Sequence, residues 1–408
     1  MATFDTRTAD RTDPFAAWQG KFILPEGVIY LDGNSLGALP RAVPGHLAKV
    51  VAEEWGRDLI TSWNKHDWID LPRRVGDRIA RLIGAAPGTV VVADSTSVNL
   101  FKLLAVALEK RPGRKIILTE AGNFPTDVYV AGGLASLIGR GHEVRLAPAA
   151  GLADAMDDSV AVVLLTEVNY RTGAKLDMPA LTRRAHEVGA LTLWDLCHSA
   201  GALPVELAGA DADFAVGCGY KYLNGGPGAP AFAYVAPRHH DGLRQPLSGW
   251  LGHAAPFDFA PDYRPAAGVD ALRAGTPPIL SMSALDAALD VFEGVDLAAL
   301  KAKADALSDL FWGIIHHNCP AIVSLTPQAH AQRGSQLNLR HPEAYAVMQA
   351  LIAKGIIGDF RQPDIMRFGF APLYLSYAEV ETAAMTFCQV IAGGEWDPPE
   401  FKQRAKVV

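Results

Sequence analysis

The stretch that decides the fold lies at residues 160–196 and reads VAVVLLTEVNYRTGAKLDMPALTRRAHEVGALTLWDL. The apolar, β-branched run Val160–Thr166 predicts a buried strand, and Leu191–Leu196 predicts a second one. Between them, Pro179–Val188 has the apolar spacing of an amphipathic helix. A strand, a helix and a strand in this order predict two parallel strands joined by a helix that covers the sheet.

The same alternation extends in both directions along the chain. Val98–Lys110 predicts another amphipathic helix, and further short apolar runs predict strands at Thr89–Ala93, Lys115–Thr119, Glu143–Leu146, Phe214–Cys218 and Ala231–Val235. Together these runs predict an α/β fold with a mostly parallel seven-stranded sheet sandwiched by helices.

The alternation of strands and helices ends at the Pro- and Gly-rich stretch at residues 264–278. A helical pattern at Ser281–Ser308 is followed by a mixture of short strands and helices from Ile322 to Tyr374, which predicts a smaller α+β domain. Residues 1–50 do not show the alternation of strands and helices, and we expect them to pack with that domain. The sequence thus predicts a large domain at 51–280 and a small domain formed by 1–50 together with 281–408.

Composition excludes several classes of protein. Of the 408 residues, 50% are hydrophobic and 20% charged, which argues against disorder, and a net charge of -7 without a Lys/Arg run argues against a nucleic-acid partner. The four cysteines form no CxxC pair, so we expect neither a disulfide framework nor a metal site. We expect a cytoplasmic protein with no membrane contact, because the N-terminal stretch lacks a signal-peptide core and no apolar run is long enough to cross a bilayer.

Chemistry is first suggested by LWDLCHSAG at residues 193–201, where an apolar strand runs into Asp195 and then His198. In open parallel sheets, ligands bind beyond the carboxyl ends of the strands. A buried carboxylate there needs a partner, and the protonated pyridine nitrogen of pyridoxal phosphate is a suitable one. A helix-capping aspartate beside a core histidine fits this motif equally well.

A second motif, GYKYLNGGPG at residues 219–228, places Lys221 between two tyrosines at the end of an apolar strand. Most lysines are solvated surface residues. Desolvation at this position is expected to lower the lysine pKa and to suit the amine to imine chemistry. The glycines allow close approach of a ligand, although an ordinary tight turn would also use them.

Three further stretches follow predicted strands. Hydroxyl residues at 95–97 precede a helix, where they form either a phosphate cradle or an ordinary N-cap. Phe124 is a candidate for stacking on a flat ring and Asp127 for orienting a neighbour, or Phe124 is a core aromatic before a helix. Thr166 and Asn169 are candidates for bonds to cofactor oxygens. Later, Arg367 stands within an apolar run and needs an anionic partner, either a substrate carboxylate or a structural acid.

These motifs together resemble kynureninase, within the fold-type I group of pyridoxal-phosphate enzymes. The matching stretches cover most of the chain: YLDGNSLG (30–37), FPTD (124–127), residues 194–205, YKYLNGGPG (220–228), LSGWLGH (247–253) and residues 367–374. The resemblance implies the fold of the pyridoxal-phosphate-dependent transferases. It also implies hydrolysis of L-kynurenine, and as a second candidate 3-hydroxykynurenine, to anthranilate and L-alanine in tryptophan degradation, with pyridoxal 5'-phosphate as cofactor.

The resemblance also implies roles for individual residues. Lys221 resembles the lysine that holds the cofactor and shuttles a proton, Asp195 the partner of the pyridine nitrogen, and Tyr220 a catalytic or phosphate-anchoring tyrosine. The remaining implied cofactor contacts are Thr96, Ser97, Phe124, Asp127, Thr166 and His198, with Trp250 and Thr276 reaching the cofactor from the partner subunit of a homodimer. Arg367 resembles the residue that binds the α-carboxylate, and Asn34, Ser35 and Trp63 are implied to lie near the substrate.

Two other readings stay open. Another fold-type I enzyme, such as a cysteine desulfurase-like lyase or an aminotransferase, shares the Asp-x-x-His and Lys arrangement. A desulfurase needs a nucleophilic cysteine on a mobile loop. Neither Cys319 nor Cys388 lies in an obvious glycine- or serine-rich loop, and we expect Cys197 and Cys218 to be small core residues. A non-catalytic protein of the same fold would be expected to lose the lysine, and Lys221 is present.

Overall fold

The computed structural model of the chain describes residues 5–405. Its helices are α1 (Thr6–Thr12), α2 (Ala42–Lys49), α3 (Ser62–Lys65), α4 (Leu71–Leu82), α5 (Thr96–Lys110), α6 (Pro125–Ile138), α7 (Met178–Glu187), α8 (Ile279–Ala288), α9 (Leu297–Asn318), α10 (Ala344–Ala353), α11 (Tyr377–Ala392) and α12 (Pro399–Lys402). Its strands are β1 (Phe22–Ile23), β2 (Ile29–Tyr30), β3 (Leu39–Pro40), β4 (Val90–Val92), β5 (Ile116–Glu120), β6 (Glu143–Ala147), β7 (Val160–Thr166), β8 (Leu191–Asp195), β9 (Phe214–Gly217), β10 (Phe232–Val235), β11 (Val323–Ser324), β12 (Gln336–Arg340), β13 (Ile356–Ile357), β14 (Asp359–Arg361) and β15 (Ile365–Gly369).

The large sheet has seven strands in the order β4-β10-β9-β8-β7-β5-β6. Strands β5 to β9 pair in parallel, while β10 runs antiparallel to both β4 and β9. All seven strands predicted from the sequence are present, each within one residue of its predicted ends. Six of them are predictable because strands buried on both faces leave apolar runs in the sequence, whereas the edge strand β6 is only partly buried.

Helices cover both faces of this sheet. On one face, apolar side chains such as Val162 and Leu193 pack with Leu103 of α5 and Leu134 of α6. On the other face, Trp194 and the neighbouring strands share a core with α4 and α7. The predicted sandwich of a mostly parallel sheet between helices is therefore confirmed.

A second, antiparallel sheet has the order β11-β12-β15-β14. Its strand β15 also bridges Gly369 to Asp32, and β2 pairs with β13, so the N-terminal segment packs on this part of the chain. The division at residues 51–280 stays a prediction. The helical pattern predicted at Ser281–Ser308 is divided into α8 and α9, because the chain turns at Gly294 and Asp296 caps a new helix.

Within residues 5–405, no helix is long and apolar enough to cross a membrane. The strands β7 and β8 end side by side at Thr166 and Asp195, which are paired in register. The N-terminus of α5 approaches the same edge at the loop after β8, since the Thr96 hydroxyl lies 3.7 Å from the sulfur of Cys197. This edge of the large sheet is where the predicted site residues collect.

Candidate active site

One cavity of about 200 Å³ opens at this edge of the sheet. Many of the residues singled out in the sequence line it: Thr96, Ser97, Phe124, Asp127, Thr166, Asp195, His198, Tyr220 and Lys221. Its wall is completed by Thr126, Tyr170 and Cys197, which the sequence had not indicated. Thr126 and Tyr170 each lie close in sequence to a predicted site residue. They could have been found by including every residue of the loops that follow the strands.

Hydroxyl groups at one end of the cavity stand at the N-terminus of α5. Ser95 caps the helix by accepting from the Val98 amide at 3.4 Å, while Thr96 and Ser97 form its first turn and face the cavity. Free amides and hydroxyls at a helix N-terminus favour a phosphate group. Both the N-cap and the phosphate cradle considered for residues 95–97 fit this arrangement, because Ser95 provides the cap and the next two residues line the cavity.

Two carboxyl groups lie buried in the same cavity. Cys197 donates its amide to Asp195 at 2.6 Å, and Asp127 lies 3.4 Å from the hydroxyl of Thr166. Among the described residues, neither carboxyl forms an ion pair within 4 Å. Burial raises the pKa of Asp195, and burial together with the charge of Asp195 raises that of Asp127 well above its usual range. Neither carboxyl therefore has a cation in direct contact, and a cationic ring nitrogen would supply one.

Lys221 extends into the cavity and meets His198. The Lys221 Nζ lies 3.0 Å from His198 Nε2, and the other ring nitrogen, Nδ1, lies 2.7 Å from the side-chain oxygen of Gln336. Because that oxygen accepts, Nδ1 carries the proton and Nε2 is left to accept from the lysine. Burial and the charge of Lys221 hold the pKa of His198 well below its usual value, so the ring is neutral.

The expected lowering of the lysine pKa is not found in the chain by itself. Burial does lower the pKa of Lys221, but Cys218, Cys197, Tyr220 and Asp195 outweigh burial, and the pKa is raised above its ordinary value. The prediction considered desolvation and did not include the acidic groups that the fold places around the amine.

Phe124 and Tyr220 supply the aromatic walls. Phe124 stands at the start of α6 with 42% of its surface exposed, and it packs edge-to-face on Tyr170 with ring centroids 5.2 Å apart. An aromatic face left open in a polar cavity suits stacking on a flat ligand ring. The Tyr220 ring lies 5.8 Å from Lys221 Nζ, and burial raises the pKa of Tyr220 to about 12, so its hydroxyl keeps its proton.

Asn169 does not face the cavity as a free ligand. Its amide nitrogen donates to Glu120 and to the Gly122 carbonyl, while its oxygen accepts from the amides of residues 171 and 172. The expectation that it bonds to cofactor oxygens is therefore wrong, because the end of β5 and its loop bind the amide nitrogen and the turn after β7 binds the oxygen.

Arg367 lies on β15, is buried, and has an internal acid as a partner. Its Nε donates to Asp359 at 2.6 Å, its Nη2 contacts the second oxygen of the same carboxylate, and Nη2 also donates to Ser35 at 2.8 Å. Nη1 donates to the Tyr170 carbonyl at 3.2 Å, which links this arginine to the cavity wall. A structural acid is thus present beside Arg367, and one of its five N–H groups, on Nη1, has no partner among residues 5–405.

The other residues implied near the substrate are placed differently. Ser35 belongs with Arg367 and Asp359 to one hydrogen-bonded group, called here the Arg367 cluster. Asn34 is fully buried against Gly369, and neither its amide nitrogen nor its amide oxygen has a partner in residues 5–405. Trp63 packs edge-to-face on Trp68 with centroids 5.9 Å apart and does not line the Lys221 cavity.

Trp250 and Thr276 also lie outside that cavity. Trp250 is 37% exposed and packs on Phe257, and Thr276 lines a neighbouring cavity of about 470 Å³ that shares Tyr220 with the first. Neither residue reaches Lys221 within one chain. Both stay predictions for a contact made by a partner subunit.

The motif at residues 30–37 packs against the loop at 219–228 that contains Lys221, called here the lysine loop. The Gly37 amide donates to the Tyr220 carbonyl at 2.8 Å, and a Cβ at Gly37 would lie 2.2 Å from the carbonyl oxygen of Lys221. Only glycine permits this approach. Two stretches that are distant in sequence are therefore in direct contact at the site.

Comparison with known proteins agrees with this geometry. The family described as "Kynureninase C-terminal domain" matches residues 300–387. The kynureninase of Burkholderia pseudomallei (strain 1106a) is 51% identical over 98% of this chain and 97% of its own length. The kynureninase of Deinococcus radiodurans is 55% identical over 94% of each protein.

Solved structures with low sequence identity share the fold. A mutant of C-DES with glycine covalently linked to its PLP cofactor is 16% identical, with a TM-score of 0.77 over 91% of this chain and 98% of that one. The cysteine desulfurase CsdA of Escherichia coli is 19% identical, with a TM-score of 0.77 over 92% and 98%. At these identities the likeness shows the fold alone.

Proposed function

Because this chain belongs to the kynureninase family, we propose that it hydrolyses L-kynurenine to anthranilate and L-alanine with pyridoxal 5'-phosphate as its cofactor. The observation that carries the proposal is the placement of Lys221 in a cavity with a hydroxyl-lined helix N-terminus, two unpaired carboxyl groups and an open aromatic face. The Arg367 cluster joins this cavity at Tyr170.

The residues present fit the cofactor. Thr96, Ser97 and the free amides of α5 would hold its phosphate, Phe124 would stack on its ring, and Asp195 would pair with its ring nitrogen. The buried and unpaired state of Asp195 supports this fit, since a buried carboxyl without a cation is otherwise costly. When bound, pyridoxal phosphate supplies an electron sink for breaking bonds beside the substrate amine.

Lys221 is the group in position to move a proton at the substrate Cα. Neutral His198 accepts from Lys221 Nζ and so orients the amine without adding a second positive charge. Asp127 and Thr166 lie beside Asp195 and would contact the ring side of the cofactor. General acid or base help of this kind typically contributes about 10²–10⁴-fold to the rate.

Tyr220 would donate a proton or a hydrogen bond at the substrate carbonyl while water adds to it. Its raised pKa keeps the hydroxyl protonated near neutral pH, which suits a donor. Arg367 would bind the α-carboxylate through the remaining N–H of Nη1, with Ser35 beside it. Asn34 and Trp63 would lie near the substrate.

The active form is a homodimer in this proposal. Trp250 and Thr276 are exposed in the single chain and would complete the cofactor site of the partner subunit. A cytoplasmic location is supported by four cysteines that are all free thiols.

A side-by-side assay with kynurenine and cysteine tests the proposal. Release of anthranilate and alanine from kynurenine is expected, without sulfide release from cysteine. A desulfurase needs a mobile thiol, whereas Cys218, Cys319 and Cys388 are buried in the core and Cys197 lies beneath Thr96. Protein that takes up no pyridoxal phosphate, or that leaves kynurenine intact, would overturn the proposed function.

A further inference from the structure

The carboxylate of Asp359 faces two arginines. Arg367 contacts both of its oxygens, and Arg361 Nη2 lies 2.9 Å from Oδ2. We propose that Arg361 is a second arginine for the substrate α-carboxylate, which it binds together with Arg367 while Asp359 holds both guanidinium groups. This inference deepens the proposed function and rests on it.

Strand pairing brings the three charged side chains together. Asp359 and Arg367 are opposite each other on the antiparallel strands β14 and β15. Arg361 lies two residues after Asp359 on β14, so it projects from the same face of the sheet. Both arginines also converge on Ser35, whose Oγ lies 2.8 Å from Arg367 Nη2 and 3.4 Å from Arg361 Nη2.

The cluster has more positive than negative charge. Asp32 is the other acid close by, but burial and the charge of Asp359 raise its pKa well above the usual value, and one of its oxygens has no partner in residues 5–405. The raised pKa disfavours a negative charge on Asp32, so the two guanidinium groups face chiefly the charge of Asp359. One added carboxylate balances the cluster, and a substrate amino acid carries one.

The two arginines differ in how deeply their side chains are buried. The Arg367 side chain is 2% exposed and is fixed by the fork to Asp359, whereas 36% of the Arg361 side chain is exposed. Arg367 already neutralises Asp359 through two bonds, so the structure of the cluster does not need a second cation. Arg361 can therefore turn toward an incoming anion while Arg367 keeps the buried pair with Asp359.

The test compares Arg361→Gln with Arg361→Lys in the holoenzyme. For Arg361→Gln we expect the KM for kynurenine to rise about tenfold with kcat within twofold, and Arg361→Lys to fall between it and wild type. Arg340→Gln is the matched control, because Arg340 is an exposed arginine on β12 that pairs with Asp364 at 3.1 Å. It should leave both constants unchanged.

A second readout separates carboxylate binding from a structural role. Competitive inhibition is measured with the amine that kynurenine becomes when its α-carboxylate is removed. If Arg361 binds the carboxylate, inhibition by this amine changes less than twofold in Arg361→Gln while the KM for kynurenine rises. An unchanged KM, or equal weakening of amine and substrate, would overturn the inference. Wild-type protein that releases no anthranilate would instead defeat the proposed function, and the inference with it.

Discussion

The amine of Lys221 lies 3.0 Å from Nε2 of His198, and this ring is in turn fixed by Gln336 at 2.7 Å. Gln336 belongs to β12 of the smaller sheet, so a strand of one sheet sets the tautomer of a histidine on the edge of the other. Through this contact the lysine faces a lone pair rather than an N–H group.

Replacing Lys221 with alanine should abolish kynurenine cleavage, by at least about 10³-fold, because no other amine lines the cavity among residues 5–405. Borohydride reduction of the wild-type holoenzyme should attach the cofactor to the peptide that contains Lys221, as mass spectrometry would show. Lys354→Ala, at an exposed lysine paired with Glu395, is the control and should keep full activity. Label on a different lysine would contradict the assignment.

The free energy of unfolding of the cofactor-free protein should depend on His198. The folded-state pKa of His198 is lowered, so below about pH 6.5 the unfolded chain binds a proton that the folded chain does not, and stability falls as the pH drops. One such group contributes a loss of about 2 kcal/mol between pH 7 and pH 5. Urea unfolding of wild type and His198→Gln measures this, and the variant should lose less stability over that range. Identical pH dependence in both proteins would mean that the pKa of His198 is the same in the folded and the unfolded chain.

Arg367→Met should raise the KM for kynurenine strongly and leave cofactor uptake intact. It should also lower the free energy of unfolding by about 3–5 kcal/mol, because Asp359 is left buried with a weaker partner. Adding Asp359→Asn should restore part of that stability without restoring the KM. Kinetics and denaturant unfolding on both variants separate the two effects. Loss of cofactor from Arg367→Met would show that this arginine serves the cofactor site.

Gly37→Ala should disturb the lysine loop. Its Cβ would meet the Lys221 carbonyl at 2.2 Å, so either the N-terminal segment or the loop must move, and we expect cofactor affinity and kcat to fall at least about tenfold. Gly45→Ala in α2 is the matched control, since nothing lies within 4 Å of its added Cβ. It should be neutral or stabilise by about 0.5–1 kcal/mol. Cofactor absorbance and activity of the two variants provide the measurement, and equal behaviour would refute the close contact.

Mixing two inactive variants should recover activity if Trp250 and Thr276 serve the partner subunit. Lys221→Ala lacks the lysine, and a Trp250→Ala, Thr276→Ala double variant lacks the proposed partner contacts. A mixed dimer contains one site with both sets intact, so activity should return after the subunits exchange. No recovery, with exchange verified by mass, would place these residues in their own subunit's chemistry or outside it.

Much of the fold could be predicted from the sequence, but the site only in part. The inner strands of the large sheet, such as Val160–Thr166, are buried on both faces and leave continuous apolar runs. Site residues at strand ends, such as Asp195, follow from the rule that ligands bind there. Gln336 and Arg361 gave no such signal, because a glutamine or an arginine on a short strand reads as an ordinary polar position.

The sequence by itself determined the strands of the large sheet and pointed to Lys221 and Asp195 as site residues, because apolar periodicity and strand ends are local properties of the chain. The tertiary structure decided the partners. His198 and Gln336 are 138 residues apart and Ser35 and Arg367 are 332 apart, and each pair is joined by a hydrogen bond. It also decided the charge states, since burial and neighbouring groups set the pKa of Lys221, His198 and Asp32. Such contacts depend on how two sheets pack together, and no local pattern in the sequence records that packing.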